Sequence, residues 1–195
     1  MFRCLDSFVL AFVMAMAIPI ALSAASPAAR PLLVNLSGHE VHPFAKETTR
    51  FSIFFFVRTD CPIANRYAPE MRRLDAAFGR RGIAFWLVYP TAEETARDIA
   101  SHQAAFQLPG VALRDPHHLF TRKARARVTP EAALFDKNGA LLYHGRIDNR
   151  YVDFDQIRPI ATQHDLADAL TSALAGKPHK VKAAPGIGCL IESSQ

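Results

Sequence analysis

Apolar side chains run along this chain in two rhythms. Phe51 to Val57 (FSIFFFV) and Ile83 to Tyr89 (IAFWLVY) are almost unbroken apolar runs, rich in aromatic and branched residues. That pattern predicts central strands buried on both faces. Between them Ile63, Tyr67, Met71, Leu74 and Phe78 recur at helical spacing, predicting a helix from Pro62 to about Gly79. Thr59 or Asp60 is placed to cap it, and Pro62 suits its first turn, where a missing N–H costs nothing. Pro69 lies inside the helix and predicts a kink. A second helix is expected over 91–107, opened by Thr91 with Glu94 three residues on as a capping box. Residues 31–36, 41–44 and 111–113 read as short extended pieces, and 117–126 as a short helix. Residues 131–135 and 141–146 form a hairpin about Asn138-Gly139, and 165–174 a last helix closed by Gly176.

Parallel strands joined by helices, with an antiparallel hairpin at one edge, imply a three-layer α/β sandwich with a mixed central sheet. The first 25 residues stand apart. Arg3 gives a basic start, residues 7–22 are nearly all apolar, and Ser23-Ala24-Ala25-Ser26 supplies small residues with Ala25 last before cleavage. This is the layout of a secretory signal peptide, with an uncleaved anchor as the alternative. The apolar run is short against the roughly 20 residues of a spanning helix. Cys4 precedes the run, so it is not a lipid-bearing cysteine. The domain is expected over 26–176, and 177–195 reads as a tail rich in Pro, Gly and Lys that carries Cys189.

The 195 residues are 50% apolar and 21% charged, which fits one globular domain. Removing residues 1–25 takes away Arg3 and Asp6, so the formal charge stays at +5. The basic residues are dispersed. Their one dense run, Arg122 to Arg127, reads as a solvated helix end, and no nucleic-acid partner is assigned. A membrane is met only through an uncleaved signal segment. Two cysteines remain, Cys61 and Cys189, which in an oxidising compartment implies a bridge, a redox pair, or both at different times.

Cys61 carries the chemical signal. It stands where a buried strand ends and a helix begins, a position at which free N–H groups favour a thiolate and so a nucleophile. Arg58 and Arg66 add positive potential, and Asp60 opposes it. An inert buried cysteine is the alternative, but strand-to-helix junctions at the carboxyl edge of a sheet are where α/β proteins expose their sites.

Phe56-Val-Arg-Thr-Asp-Cys61-Pro-Ile-Ala64 resembles the active-site stretch of exported thioredoxin-like proteins. Pro69, eight residues after the cysteine, and Val128-Thr129-Pro130, similar to a cis-proline loop, extend the resemblance over roughly residues 31–175. The stretches TDCPIANRYAPE, VTPEAALFD and YHGRIDNRY look like redoxin-domain proteins of the peroxiredoxin-like (AhpC/TSA-related) branch. The resemblance implies a thioredoxin-like sandwich and an exported thiol oxidoreductase, in a bacterial periplasm. Cys61 would be the nucleophile and Cys189 the resolving cysteine, with Arg58, Thr59, Thr129 and Pro130 about the substrate. Its partners would be a protein or small-molecule disulfide, or a peroxide, with an external thiol as reductant.

The chain departs from each template. Ala64 stands where thioredoxins have a second cysteine, and Arg58 where peroxiredoxins place a peroxide-orienting Thr or Ser. A Gly-rich tail that swings Cys189 to Cys61 would restore turnover, whereas a permanent structural bridge, or two thiols that never meet, would not. Two other functions stay open: a thioredoxin-fold binding module without turnover, and a copper-handling accessory of the Sco type. The second would draw on His39, His42, His117, His118 and His144, but its motif needs two loop cysteines, so no metal and no cofactor is assigned. Arg146 and His144 lie on the outer hairpin strand, where an Arg146–Asp148 or Arg150–Asp pair would hold the next loop. Tyr67 and Trp86 read as core or half-buried aromatics, and Asn65 is within reach of the thiol.

Overall fold

The two apolar runs lie side by side at the centre of the sheet. β3 (Phe51–Phe56) and β4 (Ile83–Tyr89) pair in parallel from Phe51↔Ile83 to Phe56↔Val88. The computed structural model describes residues 33–45, 48–177 and 184–192, so the segment read as a signal peptide lies outside the described residues. Around the central pair run β1 (Leu33–Asn35), β2 (Glu40–Val41), β5 (Val111–Arg114), β7 (Glu131–Asp136) and β8 (Leu141–Gly145). The strand order is β2-β1-β5-β4-β3-β7-β8, with β3, β4 and β5 parallel and the outer pairings antiparallel. This is the expected mixed sheet.

Strand alternation explains why β3 is apolar but for Ser52. Ile53, Phe55 and Val57 face one core with Met71, Leu74, Ile99, Leu166 and Leu170, which come from α2 (Ala68–Phe78), α3 (Ala96–Phe106) and α5 (Asp165–Leu174). Phe54 and Phe56 face the other, packed with Phe120 of α4 (Leu119–Ala124), Phe135 and Phe44. Each face therefore buries full aromatic side chains, worth roughly 1.5–3 kcal/mol apiece. Tyr67 is buried and Trp86 half-buried. Arg122, Lys123, Arg125 and Arg127 are exposed, although the Lys123 ammonium sits over the Phe44 ring at 5.1 Å. Among the described residues no helix is long and apolar enough to cross a membrane.

Three local expectations are corrected. The helix after Cys61 divides into α1 (Pro62–Arg66) and α2, broken at Tyr67 rather than kinked at Pro69. Pro69 cannot donate to the carbonyl four residues back and its ring clashes there, so the chain starts a new helix in which Pro69 occupies the first turn. The second helix begins at Ala96, not Thr91. Its capping box is Thr95 with Asp98: Thr95 Oγ1 accepts from Asp98 N–H (3.2 Å), and Asp98 Oδ2 accepts from Thr95 N–H (3.2 Å). Glu94 is engaged elsewhere. Arg146 pairs not with Asp148 but with Asp165 at the start of α5, through Nε (2.9 Å) and Nη2 (3.2 Å), a fork that ties the end of the hairpin to the helix. Asp148 instead accepts from the Tyr67 hydroxyl (2.7 Å) and Arg150 N–H (2.9 Å).

Residues 184–192 of the tail are docked on the domain. β6 (Val128–Thr129) and β9 (Cys189–Leu190) form a separate antiparallel ribbon with Val128 opposite Leu190 and Thr129 opposite Cys189.

Candidate thiol site

Cys61 closes the strand-to-helix turn and itself occupies the N-cap position of α1 with extended backbone (φ −86°, ψ 106°), in place of the expected Thr59 or Asp60 and with no side-chain cap hydrogen bond. Its side chain is fully buried, and its thiol donates to the Thr129 carbonyl (2.9 Å). The Thr129–Pro130 peptide bond is cis. Thr129 thus meets Cys61 through its carbonyl and Cys189 through its place in the ribbon, and the topology brings residues 61, 129 and 189 to one point. Cys189 neighbours Cys61 there. Both are free thiols. Burial pushes the Cys189 thiol up to about 12, helped by the neighbouring Cys61 and by Asp60, while Arg58 opposes the rise.

The loop before Cys61 is held by a chain of side chains. Thr59 N–H donates to Glu94 Oε1 (2.5 Å), whose other oxygen accepts from Thr91 Oγ1 (2.9 Å). Asn65 Nδ2 donates to Thr59 O (3.3 Å), and Asn65 Oδ1 lies 2.7 Å from His102 Nε2. An amide oxygen only accepts, so Nε2 carries the proton and Nδ1 accepts from the Tyr89 hydroxyl (2.9 Å). Burial lowers the His102 pKa, against the pull of Glu94, which keeps the ring neutral and suits that tautomer. Arg58 turns its guanidinium to Asp60 (2.8 Å), and the two line a cavity of about 670 Å³ with Thr59, Glu94, His118 and Glu192.

On the far side, buried Glu131 organises the proline loop. Its Oε2 accepts from Arg127 N–H (2.7 Å) and Oε1 from Gly186 N–H (3.0 Å). The tail glycines also have a meaning other than mobility. A Cβ on Gly188 would fall 2.0 Å from Thr129 O, and one on Gly186 2.9 Å from Pro130 O. They are small so that the tail can lie against β6.

Cys61, Thr129, Pro130 and Cys189 therefore converge, with Arg58 and Thr59 on the adjoining loop. The histidines do not. Among the described residues the grouping with metal-ligand spacing is Glu70, Asp148 and His164, which includes neither cysteine nor any of His39, His42, His117, His118 and His144. Glu131, Glu94, His102 and Tyr89 were not legible as site residues, because each acts through a partner at least 13 positions away or through a backbone N–H. The Gly-x-Gly-Cys spacing of 186–189 was the one sequence signal available for the docked tail.

No protein-family model matches the chain, and no curated protein matches it either. Solved structures do. A conserved protein of Geobacillus kaustophilus, itself uncharacterised, superposes with a TM-score of 0.71 at 22% identity, over 83% of this chain and 87% of that one. A Chlorobium tepidum protein described as a candidate thiol:disulfide interchange protein DsbE gives 0.56 at 20% identity, over 73% and 92%. A thioredoxin-like protein of Aeropyrum pernix gives 0.51 at 19%, over 59% and 80%. Likeness at these identities speaks to architecture, and with the mixed sheet and the order of its elements it establishes that this chain has the thioredoxin fold.

Proposed function

We propose that this protein is a thiol–disulfide oxidoreductase in which Cys61 is the nucleophile and Cys189 the resolving cysteine. The observation that carries the reading is the convergence of both thiols on Thr129, Cys61 through the 2.9 Å hydrogen bond and Cys189 through its register in the ribbon. The Cys61 thiolate attacks one sulfur of a target disulfide. A Cys61–target bond forms, the target's own S–S bond breaks, and its second sulfur leaves and is protonated. Cys189 then loses its proton and attacks the Cys61 sulfur. The Cys61–Cys189 bond forms, the target leaves as a dithiol reduced by two electrons, and the protein is left oxidised. An external thiol reductant restores it. Cys189 thereby does from the tail what a second loop cysteine at position 64 would do locally.

The reading goes with residues 1–25 as a signal peptide and with an exported protein of a bacterial periplasm, where target disulfides form. Peroxide reduction has the Cys61-Pro62 pair in its favour. Against it, the position that would hold an orienting hydroxyl holds Arg58, whose guanidinium is turned to Asp60.

The test is turnover of a protein disulfide by the mature protein with a dithiol reductant, beside peroxide consumption under the same conditions. Cys61→Ser is expected to abolish turnover. Cys189→Ser is expected to give one stoichiometric reaction and a trapped mixed disulfide on Cys61, seen by mass spectrometry. Full activity in Cys61→Ser overturns the reading, and peroxide consumption without disulfide reduction replaces it.

A further inference from the structure

The tail lies along β6, beside the Thr129 carbonyl that accepts from the Cys61 thiol. β9 runs antiparallel along β6, and Ile191 N–H donates to Arg127 O (2.9 Å) beyond it. Ile187 packs against one core and Ile191 against the other, while Leu190 stands 73% exposed between them. Glu131 holds both partners, Arg127 with one oxygen and Gly186 with the other. Upstream, Ala184 O accepts from Arg146 N–H (2.9 Å). With this segment seated, Cys61 is 0% exposed and its thiol is engaged by Thr129 O. Thiol–disulfide exchange requires the attacking sulfur to reach the target sulfur directly. No target chain does so while β9 stays in place.

We propose that residues 184–192 are a built-in occupant of a polypeptide slot along β6, and that a target enters by displacing β9 with an extended segment whose reacting cysteine is preceded by glycine. The inference rests on the thiol-exchange reading and names its substrate class. An incoming strand gains the main-chain pairing with Val128 and Thr129 that β9 gives up, which is strand addition at an open edge. The glycine requirement comes from the 2.0 Å separation between Thr129 O and a Cβ at the position of Gly188. Any larger residue must leave the path that brings position 189 against Cys61. The residue after the cysteine faces solvent, as Leu190 does, and is unrestricted. Target and tail compete for one slot, so when the tail returns it brings Cys189 to the Cys61–target disulfide and expels the product in the same movement.

The experiment uses Cys189→Ser protein of residues 26–195, in which Cys61 is the one remaining cysteine, and two synthetic nonapeptides. One has the sequence of residues 184–192 with its cysteine in a mixed disulfide with thionitrobenzoate; the other carries Ala in place of the glycine before that cysteine. Release of thionitrobenzoate reports attack by Cys61. The Gly-Cys peptide is expected to react at least about tenfold faster than the Ala-Cys peptide, the effect of one hydrogen bond lost at the slot. Adding Gly188→Ala or Gly186→Ala to the protein unseats the tail and raises the rate for the Gly-Cys peptide by at least about tenfold on the same ground. A nonapeptide with Ser for its cysteine, added in excess, refills the slot and slows that reaction again, a rescue of protection that mere misfolding would not show. Equal rates for the two peptides overturn the glycine requirement. Unchanged rates in both tail variants, with near-ultraviolet circular dichroism as in the parent, overturn the gate. If Cys61 reacts with neither peptide nor a small aromatic disulfide in any variant, the thiol-exchange reading itself has failed.

Discussion

Cys189 sits beside a sulfur and a carboxylate, in a partly buried strand, and each surrounding disfavours its thiolate. The reduced protein therefore keeps Cys189 protonated at neutral pH, with its thiol pushed up to about 12. The consequence is kinetic. Only a thiolate attacks a disulfide, so resolution of a Cys61–target bond is limited by the small thiolate fraction of Cys189 and accelerates with pH. Once Cys61 is bonded to a target its contribution is gone, but burial, the largest cause, remains. Resolution measured by quench and mass spectrometry is expected to rise about tenfold per pH unit from neutrality until Cys189 itself titrates. A rate that is flat between pH 7 and pH 9 would show that another group resolves the bond. The same shift acts on stability. A thiol raised from the ordinary 9.0 to about 12 favours the folded state below the unfolded value, and that contribution disappears as pH climbs through the folded one. Wild-type stability should accordingly fall relative to Cys189→Ser over that alkaline window.

At the scale of elements, the chain between β4 and α3 reads as a capping box at Thr91-x-x-Glu94, whereas the structure caps the helix with Thr95-x-x-Asp98. The choice is tertiary. Glu94 reaches across 35 positions to Thr59 N–H, so the first pattern serves the Cys61 loop and the second caps the helix. The two should separate on mutation. Thr95→Ala is expected to cost about 1 kcal/mol of stability and to leave Cys61 reactivity nearly unchanged. Glu94→Gln keeps one acceptor oxygen but loses the charge facing Thr59 N–H, and is expected to slow Cys61 several-fold while the helix keeps its cap. Urea denaturation and thiol-labelling rates read the two effects apart; if both variants lose only stability, Glu94 has no part in positioning the loop. The same limit explains Tyr67. Helical spacing placed it on the buried face correctly, whereas the break there is set by Pro69 two residues later, through a carbonyl no periodicity reveals.

For the whole molecule, the central sheet was legible because burial on both faces leaves β3 and β4 with almost no polar residue, and the hairpin because Asp136 and Gly139 close it locally. The meeting of Cys61 with Cys189 was legible only as an option. Nothing local to residues 184–192 says where they dock; Thr129, Glu131 and Arg146 say so, and they lie some 40–60 positions away. That long separation has a thermodynamic consequence. Bridging Cys61 to Cys189 closes a loop of roughly 130 residues, which in the chain-entropy view removes about 5 kcal/mol of unfolded-state freedom. In the folded reduced chain the tail already holds Cys189 beside Cys61, so little further ordering is needed to form the bond. The oxidised protein is therefore expected to unfold at a clearly higher denaturant concentration than the reduced one, and dithiothreitol should erase the difference. Cys189→Ser should show one midpoint in either condition, near that of the reduced wild type. Coincident oxidised and reduced midpoints, with the bridge verified by mass spectrometry, would mean that the bond strains the docked tail by as much as it constrains the unfolded chain. A strained bond of that kind is the more easily reduced, so the same pair of curves reports how readily an external thiol returns Cys61 to work.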